Sequence, residues 1–487
     1  MRQTVDLLLV NPGNRVEQFA NLAPLATVAQ PLGIAMLAAY VREQGISVAI
    51  FDAEAYGLTP VEAADQIEAL YNPPLLVGLS AFTTKMTSAG HIMQELKRRW
   101  PETKMMCGGH HPSAIPERTL REEATDYVIK GEGFYPVTEL MQRLKKGEHC
   151  YDIMGVWLWR PDGTVHPGGQ APGPQKLDEL QFPAYDLLPM KQYKAHHWQA
   201  WGRGTIDTTG FSLIHTSLGC PYNCSYCSVN VVYERHTVRY RSPVKVADEI
   251  EHLINVYGVQ HFEFIDDTFT TNRKHVEAIC DEIISRGLGD KVNAWAFSRV
   301  DRADPRFLAK MKAAGINWVF MGLESGNDTV LLGVDKGQSV ADIREAVDKV
   351  HAAGIHIGGN YVFGLPEDTH ESMDQTFALA RDLNTEYANF FIMMSYPGSF
   401  MHDALPPADA LPKKWSQYGF FAPDALPLRN ATVSAADILE RRDRAFKEYF
   451  GGERYQGMVE QKFGSETLEF LRSQVLSKQL VRRRTVI

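Results

Sequence analysis

The chain has 487 residues, enough for two to four domains with buried cores. Fifty basic against 59 acidic residues, a net charge of −9, give no reason to expect a nucleic-acid partner, and no apolar run approaches a membrane span. No secretory segment is evident and Cys107, Cys150 and Cys280 are scattered singly, so a disulfide scaffold is a poor fit and the cytoplasm is the expected compartment.

In chain order, residues 6–10 form a short apolar run ended by Asn11-Pro12-Gly13. Residues 34–44 carry helical periodicity closed by Gly45, and 47–51 are again strand-like. Helix over 59–70, strand over 75–80, helix over 86–99 and strand over 104–107 follow. This alternation predicts an α/β fold, with a doubly wound, Rossmann-like parallel sheet over residues 1–150 that binds ligands beyond the carboxyl ends of its strands. Those ends carry Asn11, Ser80, Gly108 and Gly109 before His110-His111, and Glu132 between Gly131 and Gly133. Such small or polar residues let a large planar ligand approach the backbone. The same sheet without a ligand would be a docking platform.

Residues 151–210 change character. The segments 156–160 and 164–166 flank Pro161-Asp162-Gly163 and suggest a hairpin, and the Gly/Pro cluster 167–174 reads as a linker. The aromatic and basic run Tyr193 to Trp198, with Trp201 and Arg203, is either a lid over the active site or a linker packed on the next domain.

A strand over 211–216 feeds S-L-G-C-P-Y-N-C-S-Y-C-S, with thiols at Cys220, Cys224 and Cys227. Three thiolates this close can cap one multinuclear iron site, and the absence of a fourth nearby cysteine leaves an open coordination position. A zinc knuckle short of one ligand and three structural thiols are the alternatives. Five more strand-and-helix units follow, with strands over 261–265, 292–297, 318–322, 356–362 and 389–394. Six parallel strands predict a partial (β/α)6 barrel over 211–400, its functional residues at the strand carboxyl ends. Those ends carry Asp266-Asp267, Arg299, Glu324 between Gly322 and Gly326, and Asn360. Arg299 reads equally as a carboxylate clamp and as a rim ion pair to Asp301. Either of the adjacent aspartates can accept from an ammonium group, since successive strand residues point to opposite sides. Glu367 to Thr369 read as caps of the next helix. Residues 401–487 form a mainly helical extension, with a Pro-rich stretch over 405–427, a helix over 434–450 and a charge run over 478–484. Tyr418, Phe420 and Phe421 in it could close a cavity or pack on the open side of the barrel.

The spacing C-x3-C-x2-C with Tyr226 before the last cysteine resembles the signature of the radical S-adenosylmethionine superfamily. Asp266-Asp267-Thr268-Phe269, G-L-E-S-G at 322–326 and G-L-P-E-D-T at 364–369 are similar to its cofactor-binding segments. The order N-P, L-S-A, G-G-H-H-P, K-G-E-G ahead of them resembles the cobalamin-binding domain of class B methyltransferase-like members. The resemblance implies a 4Fe-4S cluster on the three cysteines, and S-adenosylmethionine held by Tyr226, Asp266 or Asp267, Arg299, Glu324 and Asn360. Cobalamin would lie along Asn11, Ser80, Gly108, Gly109 and Glu132. Lack of a D-x-H-x-x-G sequence in this domain argues against a histidine on cobalt. The implied activity is reductive cleavage of S-adenosylmethionine to a 5′-deoxyadenosyl radical and methylation of an unactivated carbon of a small molecule, with an external electron donor such as flavodoxin or ferredoxin. A radical cyclase, dehydratase or rearrangement enzyme is the alternative, and from another class a non-catalytic corrinoid or iron–sulfur sensor. No residue is singled out as catalytic.

Overall fold

The structure is a computed structural model that describes residues 1–203, 206–233, 237–334, 336–404, 411–478 and 482. Residues 405–410 of the Pro-rich stretch, and all of the terminal charge run except Lys478 and Arg482, lie outside the described residues.

The first sheet has β1 (Leu7–Asn11), β2 (Val48–Asp52), β3 (Leu76–Ser80), β4 (Lys104–Gly108) and β5 (Tyr127–Ile129), all parallel. The expected hairpin does not belong to a separate linker. Its strand β6 (Val156–Trp159) pairs antiparallel with β5, and β7 (Val165–His166) antiparallel with β6, giving the order β2-β1-β3-β4-β5-β6-β7. Helices cover both faces, so every residue of β1 and β2 is buried and the strands read as unbroken apolar runs.

The second sheet begins with β8 (Phe211–Ile214). A small antiparallel ribbon, β9 (Ser217–Leu218) with β10 (Arg239–Tyr240), closes the base of the cysteine loop. Then come β11 (His261–Phe264), β12 (Asn293–Ser298), β13 (Ile316–Glu324), β14 (His356–Phe363) and β15 (Tyr387–Ile392). The parallel order β15-β14-β13-β12-β11-β8 is the expected six-stranded partial barrel. Its two open edges are covered by side chains. Gln30 of the first module donates to Phe211 O (2.6 Å) and accepts from Leu213 N–H (3.2 Å), as a neighbouring strand would. Arg442 Nε of the extension donates to Phe390 O (2.8 Å) at the other edge.

The run 193–201 is a packed linker and not a lid. Gln199 donates to Phe262 O (3.1 Å) and Asn293 O (2.7 Å) at the amino ends of β11 and β12, opposite the cysteines. Trp198 plugs that end, with ring centroids 4.6 Å from Phe320, 4.9 Å from Trp318 and 5.6 Å from Trp295. Gly358 makes the room, since a Cβ there would lie 2.2 Å from the Phe320 ring. Among its described residues the extension carries the α-helices Ala435–Gly451, Glu453–Phe463 and Ser465–Phe470, the first of them at the place where the sequence suggests a helix. Tyr418 is buried, and the Phe420 ring sits 5.0 Å from Phe391. Among the described residues no helix is long and apolar enough to cross a membrane.

Candidate functional site

The cysteine loop leaves β9 through Gly219, at φ +97° and with Thr237 O only 2.2 Å from where a Cβ would stand, so only glycine fits. Asn230 reaches back into the loop, accepting from Cys220 N–H (3.4 Å) and donating to Tyr222 O (3.3 Å). The Arg299 guanidinium lies 4.1 Å from the Tyr222 ring centroid and Arg302 donates to its hydroxyl (3.2 Å). Cys220 is buried, Cys224 half-buried and Cys227 exposed. Burial pushes the Cys224 thiol up, against Lys336 and Arg299, and the walls of the cleft around Cys227, with the neighbouring thiols and Asp267, push that thiol up as well although its surface is open to solvent. Thiols of this kind give up their protons to a metal and otherwise keep them. Among the described residues no three His, Cys, Asp or Glu side chains close on a single ion. A multinuclear cluster does not require that convergence, because each thiolate takes its own iron. The donor set therefore fits an iron–sulfur cluster better than a lone zinc.

Strand β11 delivers the two aspartates differently. Asp266 is buried, accepting from Thr216 N–H (2.7 Å) and from the hydroxyls of Thr216 and Ser217 (2.8 Å for the latter), so it ties β11 to β8 below the cysteine loop. Asp267, by contrast, is exposed. The surrounding walls and the charge of Asp266 push its carboxyl up to about 7, against a Gly219 N–H that pulls it down.

Glu324 ends β13 at φ +60°, a conformation that costs a non-glycine residue about 1–3 kcal/mol and collects at functional sites. It is buried, with Lys336 Nζ at 2.5 Å and the Tyr226 hydroxyl at 3.5 Å. Burial opposes the Lys336 charge, but Glu324 outweighs it and holds the ammonium above its usual range. A Cβ on Gly322 would meet both partners, at 2.4 and 2.7 Å, so this glycine clears the backbone beneath the pair. Lys336 carries no signal in the sequence, standing beside Gly337 in a loop of no periodic pattern. Arg299 makes the rim pair, donating to Asp301 (3.1 Å) and to Lys336 O (3.0 Å). Asn360 is lined up with Gly322 and accepts from Asn389 Nδ2 (3.0 Å), a partner that the sequence did not single out. Thr369 caps its helix through Ser372, and Asp368 receives the Gly364 and Leu365 N–H groups (3.0 Å each). Among the described residues Glu367 forms no such contact.

At the first sheet, Asn11 donates to Asp52 (2.8 Å) and accepts from Lys85 (3.0 Å). Glu132 is paired with Arg239 of β10 (2.6 Å). Both thus have protein partners. Gly109, at φ +99°, packs where a Cβ would meet Ser80 Oγ at 2.9 Å and Ala81 O at 3.0 Å. Ser80, Gly108 and His110 stay partly exposed along this edge. His110 stacks on Phe82 (4.8 Å), and His111 holds Thr83 with Nδ1 (3.2 Å) while Trp415 of the extension stands edge-on 4.4 Å away. Burial pushes both imidazoles down, to about 4 and about 3.

The B12 binding domain family matches residues 20–141 and the Radical SAM superfamily residues 214–380. The uncharacterized methyltransferase PH0819 of Pyrococcus horikoshii is 33% identical over 420 residues, 86% of this chain and 87% of that protein. The anaerobic magnesium-protoporphyrin IX monomethyl ester cyclase of Rubrivivax gelatinosus is 27% identical over 86% of this chain and 73% of its own. In fold, the chain is similar to the radical S-adenosylmethionine methyltransferase TsrM from Kitasatospora setae with cobalamin and a [4Fe-4S] cluster bound. That match has a TM-score of 0.67 and 19% identity over 93% of this chain and 89% of the other. The cobalamin-dependent radical enzyme OxsB with aqua-cobalamin bound matches with a TM-score of 0.70 and 15% identity over 97% and 72%.

Proposed function

This chain belongs to the radical S-adenosylmethionine enzymes that carry a B12-binding domain, and on that premise we propose that it methylates an unactivated carbon of a small-molecule substrate held between its two modules. Its cofactors are a four-iron, four-sulfur cluster, S-adenosylmethionine and cobalamin. The observation that carries the reading is that the cysteine loop and the strand ends of the first sheet meet. A Cβ on Gly398, just after β15, would touch Val231 beyond the cysteine loop (2.2 Å) and Ala114 of the first module (3.1 Å). The Glu132–Arg239 pair joins the same two ends.

Bound there, the cluster with S-adenosylmethionine supplies a carbon radical, and cobalamin a transferable methyl group. Cys220, Cys224 and Cys227 would hold the cluster. Asp267 would accept from the ammonium group of S-adenosylmethionine, and Glu324, steadied by Lys336 and Tyr226, from its ribose hydroxyls. Asp266 and Arg299 then brace the loop, the first from below and the second by stacking on Tyr222. Ser80, Gly108 and Gly109 would line cobalamin, with His111 kept from the metal by Thr83 and Trp415. A donor such as flavodoxin or ferredoxin would supply electrons, and thiolate-bound iron suits a reducing interior, hence the cytoplasm.

The test is reduced, reconstituted protein given S-adenosylmethionine labelled in its methyl group, with cobalamin present. The expected result is 5′-deoxyadenosine together with label on the corrinoid. Absence of 5′-deoxyadenosine would overturn the radical chemistry. Its formation with no label on the corrinoid would favour the second reading, a radical cyclase, for which the cyclase relative speaks.

A further inference from the structure

Among the described residues the lumen of the barrel is left partly open, as the pattern of burial along its strands shows. Outward-facing residues, such as Phe262, Phe264, Ala296, Met321 and Phe363, are entirely buried beneath helices. Their alternates Glu263, Ile265, Phe297, Gly322, Asn360 and Asn389 stay partly exposed. In a strand, alternate residues share a face, so this accessible set faces the lumen. Full α/β barrels fill that space with side chains. Here Trp198, Trp295 and Phe320 close the floor and leave the room above it open.

Glu263 stands at the level of that floor, directly beside Trp295 in register. Asp267 follows four residues later, past the end of β11 and nearer the cysteine loop. Among the described residues Glu263 has no hydrogen-bond or ion-pair partner, and burial alone pushes its carboxyl up to about 8. Among the described residues the nearest cations of the lumen are already paired. Arg299 is committed to Asp301 and Lys336 to Glu324, both at the mouth. His215, on the same face of the neighbouring β8 as Leu213, is held neutral by burial and by Arg241, and its Nδ1 has no partner. A carboxylate flanked by the apolar floor, open only toward the lumen and without a partner, is costly to ionise unless a cation supplied from outside repays it.

We propose that Glu263 is the substrate-recognising group of this lumen and that the substrate enters it with a cationic amine end first. The inference rests on the small-molecule reading above and adds the class of substrate, an elongated amine. Its ammonium meets Glu263 on the floor, and the carbon that reacts lies several bonds away, toward Asp267 and the cysteine loop. The Asn360–Asn389 pair, midway, keeps one amide N–H2 and one carbonyl for polar groups along the molecule.

The experiment measures binding of three probes of equal length, hexylammonium, hexanol and hexanoate, to the reconstituted protein, followed by tryptophan fluorescence. Wild type is expected to prefer hexylammonium over hexanol by about ten-fold or more, with hexanoate weakest. Glu263→Gln, nearly the same shape, should bring the first two within about two-fold, while Glu263→Asp, which keeps the charge, should retain the order. No ammonium preference in wild type, or a preference that survives Glu263→Gln, overturns the proposal. Cleavage of S-adenosylmethionine by both variants is measured alongside. Loss of amine preference with cleavage intact supports the proposal, because it puts the defect in substrate recognition. A wild type that prefers hexylammonium yet makes no 5′-deoxyadenosine supports the amine site and overturns the function it was built on.

Discussion

Replacing Glu386 with glutamine removes the charge from a clasp beneath the barrel. Glu386 is fully buried just ahead of β15, where it accepts from Ile357 N–H (2.9 Å), from His351 Nε2 (3.1 Å) and from the Lys462 ammonium, with His356 Nδ1 at 3.9 Å. Lys462 belongs to the helix Glu453–Phe463, so the clasp fastens the extension to the strands that carry Asn360 and Asn389. Burial opposes the charge, but the histidines and the lysine outweigh it and hold the carboxyl far below its usual range. Breaking a buried ion pair from one side costs about 3–5 kcal/mol. Lys462 is 40% exposed and returns to water, so the low end, about 3 kcal/mol, is expected for Glu386→Gln. Lys462→Met should cost less, about 1–2 kcal/mol, because the half-exposed lysine is screened by water and Glu386 keeps the Ile357 N–H and His351. Because the folded carboxyl titrates below the unfolded one, its stabilisation is complete above about pH 4.3 and falls by about 1.4 kcal/mol for each unit below that. The gap between wild type and Glu386→Gln is therefore flat at neutral pH and narrows in acid. Urea unfolding followed by the fluorescence of Trp198, Trp201 and Trp318, which surround this end, measures it. A gap under about 1 kcal/mol at pH 7, or one that does not narrow below about pH 4, would refute the account.

Anaerobic reconstitution of a Cys220→Ala, Cys224→Ala, Cys227→Ala variant should yield no four-iron cluster by iron content and Mössbauer spectra, and loading equal to wild type would reject the thiols as its ligands. Asp267→Asn and Glu324→Gln should each weaken S-adenosylmethionine by about 1.5–3 kcal/mol, roughly 10- to 150-fold, with clusters intact. Asp266→Asn should leave that affinity near wild type, and the reverse order in equilibrium binding would exchange the roles of the two aspartates. The protein should bind a corrinoid whose Co(II) EPR spectrum lacks nitrogen hyperfine splitting, and splitting that vanishes in His111→Ala would show a histidine on the metal after all.

The sequence alone determined the two sheets and their order of use, because parallel strands buried on both faces are apolar runs and the helices between them carry a 3.6-residue period. It also located the three thiols and the strand ends, since both are features of spacing along one short segment. Contacts between distant segments were not legible. Asp266 and Asp267 look alike in the chain, and only the pairing of β11 with β8 turns one into a strut and leaves the other in the cleft. The run around Trp198 reads equally as lid or linker until the barrel gives it a floor to plug. Lys336 becomes part of the site through a loop that folds back twelve positions onto Glu324, and Glu263 comes to face a lumen that the described residues leave partly open only when six strands close around it. Local propensity is encoded over a few residues, whereas burial, partner and direction depend on which distant segments meet, and that is decided by the tertiary packing.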